Sequence, residues 1–158
     1  MVEISAHKSI WQTTDAMIVI TLLLSFILDK YILELSKIPL SDISRYSIGG
    51  ILIFLGVFII ILAKKSFAKE KQPSGPGKPT TKLVIYGIFK YSRNPLYLGI
   101  IITLIGIGFV SNNLWLVILA IPLSICIQFV LIVPEEEYLL KIFGEDYKSY
   151  LKNVRRWL

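Results

Sequence analysis

The sequence predicts an all-α membrane protein, a polytopic bundle of about four transmembrane helices followed by a C-terminal amphipathic helix. Apolar residues make up 54% of the 158 residues, and the mean hydropathy is +0.67, both high for a soluble domain. The apolar residues form long blocks, such as residues 51–63 and 114–133, that have almost no polar face. Charged segments separate these blocks. The length suits one domain over residues 1–158.

Four apolar stretches correspond to predicted spans, at about residues 16–35, 46–63, 94–111 and 114–133. The limits of the first span are the least defined, because Asp15 and Asp29 bracket a core shorter than the roughly 20 residues that a crossing needs. A polar connector at residues 36–44 leads to the second span. The turn at residues 111–113 makes the last two spans a tight helical hairpin with both open ends on one side.

The segment between the second and third spans, residues 64–93, is strongly basic. It carries eight Lys or Arg residues against the single acid Glu70. Positive loops stay on the cytoplasmic side, so membrane orientation explains this charge better than nucleic-acid binding does. Four spans would then place both termini in the cytoplasm as well. Residues 72–79 are too rich in Pro and Gly to form helix or strand.

The segment after Pro134 is predicted to be an amphipathic helix that lies on the membrane surface or packs against the basic loop. Apolar residues recur in it at helical spacing, and Gly144 is the weak point of the helix. The recurring positions are Leu139, Phe143, Tyr147, Tyr150, Leu151, Val154 and Leu158.

Several kinds of chemistry find no support in the sequence. The sequence has a single cysteine, Cys126, so we expect no internal disulfide. It has a single histidine, His7, so we expect no His-based metal site. Phosphate-binding loops, zinc-protease motifs and nucleophile elbows are absent from the sequence, and we expect no cleavable signal peptide. Gly106 and Gly108, with Gly99 and Thr103, give the third span a small-residue side that favours close helix packing.

Two polar clusters remain, at residues 83–99 and 135–137. Local physics favours a structural interpretation of the first, in which Asn94 caps a helix, Pro95 fills its first turn, and Arg93 and Tyr97 anchor at the membrane interface. The three acids complement a helix dipole. Acids at the mouth of a bundle nevertheless need a cationic neighbour, which the basic loop or a cationic ligand could provide.

Motif order adds a further argument. The chain has Leu83-Val84-x-x-Gly87-x-Phe89, then Arg93-Asn94-Pro95-Leu96-Tyr97-Leu98-Gly99, the predicted hairpin, Glu135-Glu136, and Phe143-Gly144-x-x-Tyr147. In order and spacing these motifs resemble the isoprenylcysteine carboxyl methyltransferase and phospholipid methyltransferase family of membrane enzymes. The resemblance covers nearly half of the chain and places the cofactor-binding motifs within residues 82–158.

The resemblance implies methyl transfer from S-adenosylmethionine to a lipid or other hydrophobic acceptor at the cytoplasmic membrane face. A carboxylate suits the cationic groups of this cofactor, and an aromatic ring suits its adenine or sulfonium. In-line transfer needs alignment of the reactants rather than a metal. Arg93, which could orient an anionic group, and Glu136 are the catalytic candidates. The implied cofactor-binding residues are Lys82, Leu83 and Val84, largely through their backbone, and Phe89, Asn94, Pro95, Leu96, Tyr97 and Glu135.

Three positions depart from the family pattern. Asn94 replaces His, Phe89 replaces Tyr, and Leu131 stands where the carboxyl-methylating branch has an Arg that binds substrate, which argues against a prenylcysteine carboxylate. Two alternatives stay open. One is a reductase, since sterol reductases have a related but much longer helical arrangement, and the other is a non-catalytic binding or assembly protein. The sequence does not determine the oligomeric state.

Overall fold

A computed structural model of the chain describes residues 14–31, 37–71 and 82–158, and these ranges contain helices and short connections without a strand. A 3-10 turn, Gly87–Lys90, precedes the third helix, and a π-helical turn, Gln128–Ile132, joins the fourth helix to the fifth without interruption. The predicted all-α class is confirmed for the described residues. The five α-helices are α1 (Thr14–Tyr31), α2 (Asp42–Lys69), α3 (Pro95–Val110), α4 (Leu114–Ile127) and α5 (Val133–Asn153).

Helix α2 is longer at both ends than the predicted span. It begins after Ser41, whose hydroxyl accepts a hydrogen bond from the Ser44 amide at 3.3 Å. It continues to Lys69, so the first six residues of the predicted basic loop are helical, contrary to our expectation. Lysine is a good helix former and is favoured at the negative end of the helix dipole, which explains the extension. Residues 72–79 lie outside the described residues.

Helices α2 and α3 pack backbone to backbone through two pairs of glycines. A Cβ atom added to Gly99 would lie 2.7 Å from the Gly56 carbonyl oxygen, and one added to Gly106 would lie 2.8 Å from the Gly49 carbonyl oxygen. No side chain fits in this space. Gly108 makes a similar close approach to α4, which confirms the predicted close packing of this small-residue side.

The turn between α3 and α4 is short, as predicted. Asn113 caps α4 by accepting a hydrogen bond from the Leu116 amide at 2.9 Å, and Asn112 accepts one from the Ile38 amide at 3.0 Å. The buried Arg45 of α2 donates to the carbonyl oxygen of Val110 at 3.0 Å, where α3 ends. The bonds at Leu116 and Val110 satisfy backbone groups that a helix terminus leaves without partners.

Two of the described helices are long and apolar enough to cross a membrane, Asp42–Lys69 and the continuous helix Leu114–Asn153. Helix α3 is apolar but has 16 residues, which is about 24 Å at 1.5 Å per residue. The total of four spans therefore stays a prediction. Residues 32–35, at the end of the predicted first span, are outside the described residues.

The C-terminal helix differs from the predicted separate segment, because it continues directly from the membrane helix. The apolar part of this helix ends at Val133, and the acidic turn follows Pro134. The predicted weak point is confirmed, since Gly144 has φ 52° and kinks α5. The Tyr150 hydroxyl donates to the carbonyl oxygen of Phe89 at 2.7 Å, so α5 packs against the loop that precedes α3.

Candidate functional site

The acidic turn at the start of α5 lies beside the first turn of α3. The Tyr97 hydroxyl donates a hydrogen bond to Glu135 Oε2 at 3.3 Å, and Arg93 Nη2 lies 3.3 Å from Glu136 Oε1. The Arg93 and Glu136 side chains are only 11% and 15% exposed. Arg93 and Tyr97 thus contact α5, and their anchoring at the membrane interface stays a prediction.

Glu135 is partly buried and lies two residues beyond the apolar part of the long helix. Burial raises its pKa to about 6; the hydrogen bond from Tyr97 opposes this rise, and the negative charge of Glu136 adds to it. Among the residues that the structure describes, the ion pairs of this turn are made by Glu136. Glu135 therefore has a hydrogen-bond donor beside it, and a positive charge placed there would favour its ionised form.

Glu136 is held between two arginines. In addition to Arg93, it accepts hydrogen bonds from Arg156 Nε at 3.1 Å and from Arg156 Nη2 at 2.7 Å, a two-point contact that fixes the carboxylate plane. The hydrogen bond to Glu136 raises the pKa of Arg156. Arg156 was not among the predicted site residues, since no local sequence pattern relates a residue of the tail to the acidic turn.

The residues after α5 fold back onto the site. The Arg93 amide donates to the Arg155 carbonyl oxygen at 3.1 Å, and Asn94 Nδ2 donates to the Arg156 carbonyl oxygen at 3.0 Å. Asn94 occupies the N-cap position of α3, but its side chain makes no capping hydrogen bond, so the expected capping role is wrong. Its amide binds the tail instead. Pro95 occupies the first turn of α3, as predicted.

Other predicted cofactor-binding residues form a second group, on the α2 side. The Phe89 ring packs edge-on against Phe67 with ring centroids 5.0 Å apart, and Val84 and Leu96 pack in the same cluster. Lys82, next to Leu83, forms an exposed ion pair with Glu70 at 3.0 Å. The side chains of Val84 and Phe89 therefore belong to the protein core.

Tyr97 and Leu131 belong to a different core cluster, between α3 and the long helix. Leu131 is 1% exposed and packs with Leu104 and Ile127, and Tyr97 packs against this cluster. The position at which the carboxyl-methylating branch has an arginine is thus an apolar core position here. Met17 of α1 contacts the same cluster, and Thr14, at the start of α1, hydrogen-bonds to the Tyr97 side chain.

A family model described as phospholipid methyltransferase matches residues 44–146, which is more than half of the chain. The chain belongs to the phospholipid methyltransferase family. The match runs from the start of α2 to just beyond the kink in α5, and it includes Arg93, Tyr97, Glu135 and Glu136. Neither the curated proteins nor the solved structures contain a significant match. The predicted resemblance is confirmed, and the apolar helices of this phospholipid methyltransferase family member agree with a membrane protein.

Proposed function

We propose that the protein binds S-adenosylmethionine and transfers its methyl group to a lipid or other hydrophobic acceptor. The observation that carries this proposal is the partly buried carboxylate of Glu135 beside Tyr97, next to a Glu136 that two arginines already neutralise. We further propose that this site and both termini face the cytoplasm, because Arg93, at the end of the basic segment, pairs with Glu136 of the site, and positive segments stay on the cytoplasmic side.

The residues present suit the cofactor. A buried carboxylate attracts an ammonium or sulfonium group more strongly than an exposed one does, because the local dielectric constant is lower. Glu135 would therefore bind a positive group of the cofactor, and the Tyr97 ring is available to pack against adenine or sulfonium. Asn94, Pro95 and Leu96 form the adjacent first turn of α3. Residues 82–84 would contribute backbone contacts, since the Val84 side chain is buried against α2. The Phe89 ring lies in the same core cluster, and the Phe89 amide and carbonyl oxygen are hydrogen-bonded to Tyr86 and Tyr150, so Phe89 would support this loop rather than contact the cofactor.

S-adenosylmethionine, when bound, supplies a methyl group on a positively charged sulfur, which leaves as a neutral thioether. The protein's own contribution is to align the reactants and to exclude water. The Tyr97 hydroxyl orients Glu135, and Glu136 holds Arg93 in the site. Arg93 would orient an anionic group of cofactor or acceptor, since its buried Nε has no hydrogen-bond partner among the described residues.

The proposal is tested by calorimetry with S-adenosylhomocysteine and by transfer of a labelled methyl group from S-adenosylmethionine into a total lipid extract. We expect binding at one site per chain and label in the lipid fraction. Binding of NADPH without binding of S-adenosylhomocysteine would support the reductase alternative instead. If the folded protein binds neither compound and transfers no label, a non-catalytic role is correct.

The raised pKa of Glu135 predicts a pH dependence of ligand binding. Below about pH 6 the carboxyl group is mostly protonated and neutral, so affinity for a cationic ligand should fall about tenfold for each further pH unit. We expect S-adenosylmethionine, which carries both an ammonium and a sulfonium, to bind more tightly at pH 7.5 than at pH 5, with release of a proton near pH 6. Calorimetry in two buffers of different ionisation enthalpy measures that proton. Affinity that stays constant from pH 5 to 7.5 would contradict the prediction.

A further inference from the structure

The tail after α5 makes contacts with each part of the site. Its main-chain oxygens accept hydrogen bonds from the Arg93 amide and the Asn94 side chain, and the Arg156 side chain binds Glu136 at two points. Farther along the tail, Trp157 Nε1 donates to Gln128 Oε1 at 3.0 Å, at the π-helical turn. The tail thus connects the start of α3, the acidic turn and the long helix.

We propose that Arg156 is a positioning residue for methyl transfer, which holds Glu136 and thereby Arg93, so that Glu135 rather than Glu136 meets the cationic methyl donor. This inference rests on the proposed function. Arg156 lies beyond the family match at residues 44–146, so its assignment comes from the contacts of this chain alone.

Two adjacent carboxylates near one ligand pose a problem of selectivity. Glu135 and Glu136 are successive residues of one helix turn, and either could attract a positive group if both were free. The bidentate contact with Arg156 occupies both oxygens of Glu136, at 3.1 and 2.7 Å. The contact with Arg93 is longer, at 3.3 Å. Arg156 therefore provides most of the geometric restraint on Glu136.

Substitution of the Arg156 side chain leaves the main-chain contacts of the tail in place. The hydrogen bond from Asn94 goes to the Arg156 carbonyl oxygen, and that from Arg93 goes to the Arg155 carbonyl oxygen. Because both are main-chain oxygens, a residue of any type at positions 155 and 156 provides them. Arg155 has an exposed side chain, so a substitution there is a matched control that removes the same charge one residue away.

The experiment compares Arg156→Gln with Arg155→Gln in the full chain. Its readouts are kcat and the KM for S-adenosylmethionine, with methyl-label transfer into mixed micelles of a total lipid extract as the assay. We expect Arg156→Gln to lower kcat about 100-fold, the size of effect that a 1 Å misplacement produces. Arg155→Gln should keep the wild-type values.

Arg156→Lys, which keeps the positive charge but lacks the planar guanidinium group, should show an intermediate loss of kcat. It is the second variant if Arg156→Gln does not fold.

A double variant distinguishes positioning through Glu136 from a general effect on folding. If Arg156 acts through Glu136, adding Arg156→Gln to Glu136→Gln should cost little more than Glu136→Gln alone. Additive losses, or an Arg156→Lys protein with wild-type kcat, would overturn the inference. These outcomes are distinct from failure of the proposed function, in which the wild-type protein itself neither binds S-adenosylhomocysteine nor transfers label.

Discussion

Glu135→Gln is expected to weaken binding of S-adenosylmethionine about 100-fold or more and to reduce methyl transfer to a similar extent. The amide keeps the shape of the side chain and can still accept a hydrogen bond from Tyr97, but it no longer carries a charge. Removing one partner of a buried charged contact costs about 2–5 kcal/mol, which corresponds to such a loss of affinity. Calorimetry and the initial rate of label transfer measure the two effects.

Glu137→Gln is the matched control for this prediction. Glu137 belongs to the same acidic turn and has the same charge, but its side chain is exposed. We expect its binding and activity to be close to those of the wild-type protein. Equal affinity of wild-type and correctly folded Glu135→Gln protein would remove Glu135 from the site, and an equal loss in both variants would indicate a general effect of charge.

Gly56→Ala is expected to destabilise the protein strongly, whereas Gly50→Ala, in the same helix, is not. A Cβ atom on Gly56 would overlap the Thr103 side chain and would lie 2.6 Å from the Gly99 carbonyl oxygen. Helices α2 and α3 must separate to make room, and overpacking of this kind typically costs about 1–3 kcal/mol. A Cβ atom on Gly50 would have no neighbour within 4 Å.

The measurement is the midpoint of thermal unfolding in detergent micelles, with the three proteins scanned at one rate. Gly50→Ala should unfold at or above the wild-type midpoint, because alanine favours a helix over glycine by about 1 kcal/mol. Gly56→Ala should unfold well below it and should also lose ligand affinity, since α3 carries Tyr97. If both variants unfold at the same temperature, the close approach of α2 and α3 is not as described.

Sequence periodicity and composition were sufficient for the helical class, the turn at residues 111–113 and the weak point at Gly144. The exact extent of α2 was not predictable, because the lysines that end an apolar stretch are compatible with both a helix end and a loop. The motifs correctly predicted that the first turn of α3 lies beside the acidic turn. They did not reveal that Asn94 binds the tail or that Arg156 binds Glu136, because both contacts depend on how the chain folds back after α5.

In the π-helical turn at Gln128–Ile132, the Val133 amide donates a hydrogen bond to the Gln128 carbonyl oxygen. This turn determines the direction, around the helix axis, in which the side chains of α5 point. Such a turn amounts to one residue inserted into an α-helix, and one residue corresponds to about 100° of rotation. Loss of a single apolar residue here would swing the Glu135 carboxylate about a quarter of the way around the helix, away from Tyr97. An insertion or deletion in the apolar part of this helix can thus disable the site while every polar group of it is kept.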